Sequence, residues 1–261
     1  MLVIAGCSEG RPDPGGRRAD VAFSTLLFQK VSGFRFDFGG SPMSGFSTAR
    51  QKMVDGQVRT SDVTDSRILD ALLSVPREAF VPAARQPLAY LDLDLDVGGT
   101  PKRYLLKAAL TAKLLQAAEL QGTDNVLVVG AASGYVAALA AKIVARVTAT
   151  ESDSALAGQA TAAMAALGLS NVTVRNAASA DGEPAAAPYD VIVLNGATEI
   201  APQRLFDQLA EGGRLVGVFA MTNPSRAMLV SRAHGDFGHR TLFDAAAPVL
   251  PGLERLAEFV F

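Results

Sequence analysis

The chain carries one cysteine, Cys7, and two histidines among its 261 residues. A single cysteine excludes an intramolecular disulfide framework, and so few imidazoles leave little from which to build a zinc site. Neither sign of charge is in excess. The 24 basic and 26 acidic residues give a formal net charge of -2, which provides no electrostatic footprint for nucleic acid. No apolar run approaches the ~20 residues needed to cross a bilayer. Core-forming material is abundant, at 49% hydrophobic against 19% charged, enough for one α/β domain with extensions or at most two small domains. The expectation is a soluble cytoplasmic protein with neither a nucleic-acid nor a membrane partner.

At the N-terminus, Leu2 to Cys7 looks superficially like a lipoprotein cleavage box. No basic residue precedes it, however, and the apolar run is too short for a signal segment. Glu9 to Gly16 is rich in Gly, Pro and Arg, which favours disorder. Residues 1–42 are therefore expected to be a disordered or mis-started extension, with Met43 as the natural start.

Helical patterning runs from Ala49 to Leu73, with Thr60, Ser61 and Asp65 as cap positions. Pro76, Pro82 and Pro87 mark a connector, and Leu91 to Asp96 reads as an extended edge. Tyr104 to Leu120 has helical spacing, with Lys107 and Lys113 expected to face solvent. Val126 to Val129 is wholly apolar, the mark of a buried parallel strand. After it come a helix (Gly134–Val144), a strand (Arg146–Thr150), a helix (Asp153–Leu167) and two strands (Val172–Val174 and Tyr189–Leu194). A helix at Pro202–Leu209, closed by Gly212-Gly213, and a strand at Arg214–Phe219 complete the alternation. This rhythm predicts a doubly wound α/β sheet. Ala227–Arg232 and Thr241–Ala245 add an antiparallel hairpin, with a last strand expected at Leu256–Phe261. The domain reading is 1–42 extension, 43–100 helical region and 101–261 core with C-terminal strands.

The first core strand runs into Gly130-Ala131-Ala132-Ser133-Gly134-Tyr135. Such a tight turn lets backbone amides and a helix start approach a polar ligand. Glu151 follows the second strand, where a carboxylate can accept both hydroxyls of a ribose. Its plainer alternative is a carboxylate interacting with the dipole of the next helix. His234 and His239 flank Gly235-Asp236-Phe237-Gly238; that spacing suits a metal, but a polar hairpin tip is the preferred reading.

With these residues in place, Val126 to Ile143 followed by Val147 to Ala160 resembles motif I and its successor in the protein-L-isoaspartate O-methyltransferases. Val75-Pro76-Arg77-Glu78-Ala79-Phe80-Val81-Pro82 resembles the family's recurring "VPRExFVP" signature. Asn171 to Asn176 and Leu205 to Val216 are similar to it as well. The resemblance implies a Rossmann-like methyltransferase fold, mainly parallel, with C-terminal antiparallel strands and an N-terminal helical extension. It further implies methyl transfer from S-adenosylmethionine to the side-chain carboxylate of isoaspartyl residues in damaged proteins or peptides. The cofactor would be held by Gly130, Ala131, Ser133, Gly134, Tyr135, Glu151 and Ala178, and no metal is implied.

Three departures from the family stand out. Ala132 replaces the usual middle glycine, and a methyl there is expected to be tolerable only at negative φ. Ala178 stands where the family has an adenine-side Asp, leaving Ser179 or Asp181 as substitutes. Arg103 stands where the family's substrate-positioning Ser belongs, and no serine lies between Ser74 and Ser133. Arg103, Thr100 and Tyr104 are thus the candidate catalytic residues, with Arg103 as a bidentate clamp for a carboxylate. Alternatively, Lys102 and Arg103 are only the solvated start of the following helix. A methyltransferase for another anionic acceptor and a degenerate, non-catalytic cofactor-binding module remain as rival functions. A dinucleotide oxidoreductase is weaker, because the spaced glycines are missing.

Overall fold

The structure is a computed structural model that describes residues 42–256. The extension expected over residues 1–42 lies outside them except for its last residue, as does all but the first residue of the strand expected at Leu256–Phe261. Helix α1 (Pro42–Met53), with Met43 in its first turn, continues as a π-helical turn, Val54–Val58, and a short 3-10 turn, Arg59–Ser61. Helix α2 (Ser66–Ser74) starts where Asp65 accepts the Arg67 amide at 2.9 Å, satisfying a donor that the first turn leaves without a partner. The Thr60 and Ser61 hydroxyls donate back to the carbonyls of Gly56 and Gln57 instead of capping. Ile68, Leu69, Ala71 and Leu72 form the buried face of α2.

The proline-punctuated connector folds as two 3-10 turns, Arg77–Phe80 and Ala83–Leu88. Arg77 is fully buried and donates to the carbonyls of Ala89 (2.7 Å) and Leu106 (2.6 Å). It therefore ties the connector to the segment that enters the core. Strands β1 (Leu95–Gly98) and β2 (Arg103–Leu105) then pair as an antiparallel hairpin separate from the main sheet.

The helix expected from Tyr104 begins only at Ala108, as α3 (Ala108–Ala117). Pairing with β1 takes Arg103 to Leu105 into a strand: Arg103 and Leu105 are buried while Tyr104 between them is half-exposed. The Lys107 amide then donates to Asp94 at 2.8 Å, fixing the turn into α3. Lys107 is exposed as expected, but half-buried Lys113 lies 3.9 Å from the centroid of the Phe243 ring, a cation–π contact in place of water.

The main sheet has seven strands in the order β5-β4-β3-β6-β7-β8-β9. They are β3 (Asn125–Val129), β4 (Arg146–Glu151), β5 (Val172–Asn176), β6 (Tyr189–Thr198), β7 (Leu209–Phe219), β8 (Arg226–Ala233) and β9 (Asp236–Asp244). Helices α4 (Tyr135–Ala141), α5 (Ser154–Ala166) and α6 (Gln203–Phe206) connect the parallel part. β3 pairs in parallel with both β4 and β6, and β7 is parallel to β6, whereas β8 and β9 are antiparallel additions. Alternate residues of β3 enter different apolar clusters, Val126 and Val128 on one side, Leu127 and Val129 on the other. Burial on both faces is why this strand has no polar alternation.

Two further expectations are corrected. The helix expected at Pro202–Leu209 shrinks to Gln203–Phe206, and β7 already starts at Leu209. Gly212-Gly213 lie inside β7, where its register with β6 shifts. A Cβ on Gly213 would sit 2.8 Å from the Ala210 carbonyl and 2.9 Å from that of Tyr189, so a close backbone approach places glycine there. At the other end, β8 and β9 join through His234 (φ 55°) and Gly235 (φ 83°), the left-handed pair that a two-residue hairpin turn demands.

Candidate functional site

The chain passes from β3 outward to β4 and β5, then crosses back to β6 on the other side of β3. This reversal makes the carboxyl end of β3 the switch point, where open α/β sheets bind ligands. The turn leaving β3 is strongly constrained. Gly130 has φ +71° and Gly134 has φ +99°, both in the left-handed region that glycine enters without penalty.

Ala132 between them has φ 52°, contrary to the negative φ expected from its methyl group. The cause is Glu151, the last residue of β4, whose Oε2 accepts the Ala132 amide at 2.6 Å. A short, buried, charge-assisted hydrogen bond offsets the ~1–2 kcal/mol that a left-handed residue costs. Glu151 is 0% exposed. Its Oε1 accepts the Asp153 amide at 3.1 Å and the Ser152 hydroxyl at 3.3 Å.

The remaining donor to Glu151 is Arg103, whose Nε reaches Oε1 at 3.3 Å and Oε2 at 3.2 Å. Arg103 is 3% exposed, so it is not the solvated start of a helix. Lys102 is the solvated member of the pair, exposed and 3.6 Å from Asp96. The hairpin tip is fastened beside Arg103 by the Thr100 amide, which donates to Asp153 at 3.0 Å. Amides of Leu156, Thr100 and Ala155, together with the nearby Arg103 charge, hold the Asp153 carboxyl below its ordinary range. The structure thus brings Arg103 to Glu151, leaves the exposed Thr100 at the hairpin tip, and places Tyr104 on the opposite side of β2 from Arg103.

The other expected cofactor-side residues fall into two groups. Gly130, Ala131, Ser133, Gly134 and Tyr135 are all buried in the turn, and the Ala131 amide donates to Thr150 at 2.8 Å. Ser133 Oγ donates to the Phe80 carbonyl at 2.6 Å, and the Phe80 ring meets the Tyr135 ring edge-on at 5.3 Å. Arg77 lies 5.0 Å from the Tyr135 ring centroid. These contacts explain why the VPREAFVP string and the turn belong together: the first is the floor on which the second rests. Burial raises the Tyr135 pKa and keeps this side chain in the core.

Ala178 is exposed at the rim, and Ser179 next to it is 1% exposed with a hydroxyl that has no partner. Asp181 pairs with Arg204 on the surface. Of the two substitutes for the family's Asp, Ser179 is therefore the buried one. His234 and His239 are exposed in the β8–β9 hairpin, and no cluster able to hold a metal occurs among the described residues.

Two residues escaped the sequence reading. Asn195 on β6 donates to the Gly130 carbonyl at 2.8 Å, while its own buried Oδ1 has no partner. Leu250 belongs to a segment after β9 that runs beside the end of β6: the Ala197 amide donates to Pro248 and the Leu250 amide to Ala197, both at 2.8 Å. Leu250 is fully buried, and a Cβ on Gly130 or Gly196 would collide with its side chain. The only local sign of this segment is Val249-Leu250 set between two prolines.

A family model described as Protein-L-isoaspartate(D-aspartate) O-methyltransferase (PCMT) matches residues 48–242. The chain belongs to this family. It is 41% identical over 186 residues to protein-L-isoaspartate O-methyltransferase 1 of Rhodopseudomonas palustris (strain HaA2), covering 71% of this chain and 75% of the relative. It is 39% identical over 174 residues to the enzyme of the same name from Syntrophobacter fumaroxidans, covering 67% and 80%. Among solved structures, a protein-L-isoaspartate O-methyltransferase superposes with a TM-score of 0.70 at 24% identity, over 78% of this chain and 67% of that one. A putative family member from Plasmodium falciparum, in complex with S-adenosyl-L-homocysteine, gives 0.67 at 16% identity, over 78% and 97%. The fold is that of the Rossmann-like methyltransferases, and no helix among the described residues is long and apolar enough to cross a membrane.

Proposed function

We propose that this chain is an S-adenosylmethionine-dependent methyltransferase that esterifies the side-chain carboxylate of isoaspartyl residues in damaged proteins and peptides. Membership of the family carries the proposal, and the buried Glu151 carboxylate at the switch point supports it. The residues present fit the cofactor. Glu151 is held rigid by two backbone amides and offers oxygen acceptors to ribose hydroxyls, while Ser179 Oγ and Asn195 Oδ1 are buried polar atoms without partners. Gly130 and Gly134 carry no Cβ at the two ends of the turn and take up its left-handed backbone.

Bound S-adenosylmethionine supplies an electrophilic methyl group on a sulfonium sulfur. The acceptor needs no general base, because a carboxylate with an ordinary pKa near ~4 is already ionised at neutral pH. The work left to the chain is orientation and exclusion of water. Leu250, seated over Gly130 and Gly196, is an apolar wall suited to the second task. The test is transfer of labelled methyl to an isoaspartyl peptide. Cofactor binding without carboxyl methylation would reject the activity while leaving the fold untouched.

A further inference from the structure

We propose that Arg103 is a latch on the cofactor site: its guanidinium holds Glu151 until cofactor hydroxyls displace it, and the displaced guanidinium then receives the acceptor's carboxylate. This rests on the methyltransferase reading and adds an order of binding to it, cofactor first and acceptor second.

The first observation is competition for Glu151. An ionised carboxylate offers about four lone-pair sites. Two are taken by the backbone amides of Ala132 (2.6 Å) and Asp153 (3.1 Å), which the turn and the start of α5 hold in place, and a third by the hydroxyl of exposed Ser152 at 3.3 Å. The Arg103 contact is forked and long, at 3.2 and 3.3 Å, and it sits on a side chain that can rotate. A pair of hydroxyls that takes hold of Glu151 displaces its two side-chain donors, Ser152, which is exposed and can turn to water, and Arg103, which is buried and cannot.

The second observation is where Arg103 sits: on a hairpin whose Leu95, Val97 and Leu105 are anchored in the core, so a change of side-chain rotamer, not of the strand, is what frees the guanidinium. The β1–β2 hairpin pairs with no strand of the main sheet among the described residues. Its tip is held beside the Arg103–Glu151 pair by the Thr100–Asp153 hydrogen bond and by the close approach of Gly99 to Leu156. The Arg103 stem packs against Gly99 and its Nη2 lies over Gly130, at the mouth of the turn.

The third is charge. A guanidinium separated from its buried partner needs another anion. Asp153 is near enough for its carboxyl to feel the Arg103 charge, but its oxygens already accept the amides of Ala155, Leu156 and Thr100. Asp96, further along the hairpin, faces Arg85 and Lys102. The released fork is left short of a carboxylate, and an acceptor carboxylate matches its two-pronged geometry. A latch also lowers apparent cofactor affinity by the fraction of molecules held closed.

Calorimetry with S-adenosylhomocysteine on the wild-type chain and Arg103→Met tests this. The variant should bind at least tenfold more tightly, while its affinity for an isoaspartyl peptide falls at least tenfold and no longer depends on S-adenosylhomocysteine. Unchanged or weaker S-adenosylhomocysteine binding by a folded Arg103→Met would overturn the latch. Should that variant not fold, phenylglyoxal labelling of the wild-type chain, read by mass spectrometry, decides. Arg103 should be protected alone and modified once S-adenosylhomocysteine is added; equal or greater protection overturns the proposal. Binding by neither protein would instead overturn the cofactor reading itself, so the two failures are distinct.

Discussion

Replacing Glu151 by glutamine keeps shape and removes one charge, and its cost follows from the contacts around it. The carboxylate faces only donors: the Ala132 and Asp153 amides, the Ser152 hydroxyl and the Arg103 Nε. An amide in its place turns an NH2 group toward at least one of them, leaving a buried donor against a donor, while Arg103 keeps its charge at 3% exposure. Breaking a buried ion pair by removing one partner costs about 3–5 kcal/mol, the lost hydrogen bonds included. For a domain of this size each kcal/mol moves the melting temperature by about 2–4 °C, so Glu151→Gln should melt about 6–20 °C lower.

A double-mutant cycle with Arg103→Met sharpens this test. In the Glu151→Gln background the second substitution removes an already unpaired charge, so the double variant should be at least ~2 kcal/mol more stable than additivity allows. The assay is thermal and urea unfolding of all four proteins. A Glu151→Gln variant melting within ~2 °C of wild type, or strictly additive effects, would refute the view that this pair closes the site.

Gly130→Ala should be damaging on two grounds. It forces an L-residue to φ +71° and drives a methyl into Arg103 and Leu250; the expected loss is about 2–5 kcal/mol, read by denaturant unfolding. Ser179→Ala should leave stability unchanged or slightly raised, because the buried hydroxyl has no partner to lose. It should nonetheless weaken S-adenosylhomocysteine binding up to about tenfold, the worth of one hydrogen bond; undiminished binding would remove Ser179 from the site. Burial pushes the Tyr189 hydroxyl up to about 12, so the folded state holds its proton where the unfolded chain, titrating near ~10, has lost it. Its contribution is therefore present below pH ~10 and declines as pH rises from there toward 12. Tyr189→Phe should flatten this alkaline decline in a pH series of melts, at the cost of about 1 kcal/mol for the hydrogen bond to the Glu183 carbonyl.

The parts of the fold legible in the sequence are those set by local chemistry. The apolar run of β3, the cap at Asp65 and the glycines at 130 and 134 each carry their reason within a few residues. What escaped depends on partners distant in the chain. Arg103 was expected either at a helix start or as a substrate clamp, and neither reading contains Glu151, 48 positions away in sequence. Tyr104 was expected in a helix because the apolar spacing after it is helical, but pairing with Leu95 to Gly98 makes Arg103–Leu105 a strand. The left-handed Ala132 follows from the same carboxylate, whose grip on the amide overrides a local preference. Leu250 reaches the site only because its segment bridges to Ala197, a pairing with no local pattern to announce it. The family is thus legible in motifs, while the approach of Arg103 to Glu151 and of Leu250 to Gly130 is set by partners far apart in sequence.

Methyl transfer from labelled S-adenosylmethionine to matched peptides that differ only in an isoaspartyl or a normal aspartyl residue is the most direct measurement. The wild-type chain should place base-labile label on the isoaspartyl peptide and leave the aspartyl one unlabelled. Label on neither peptide, from a chain that binds S-adenosylhomocysteine, would contradict the proposed function.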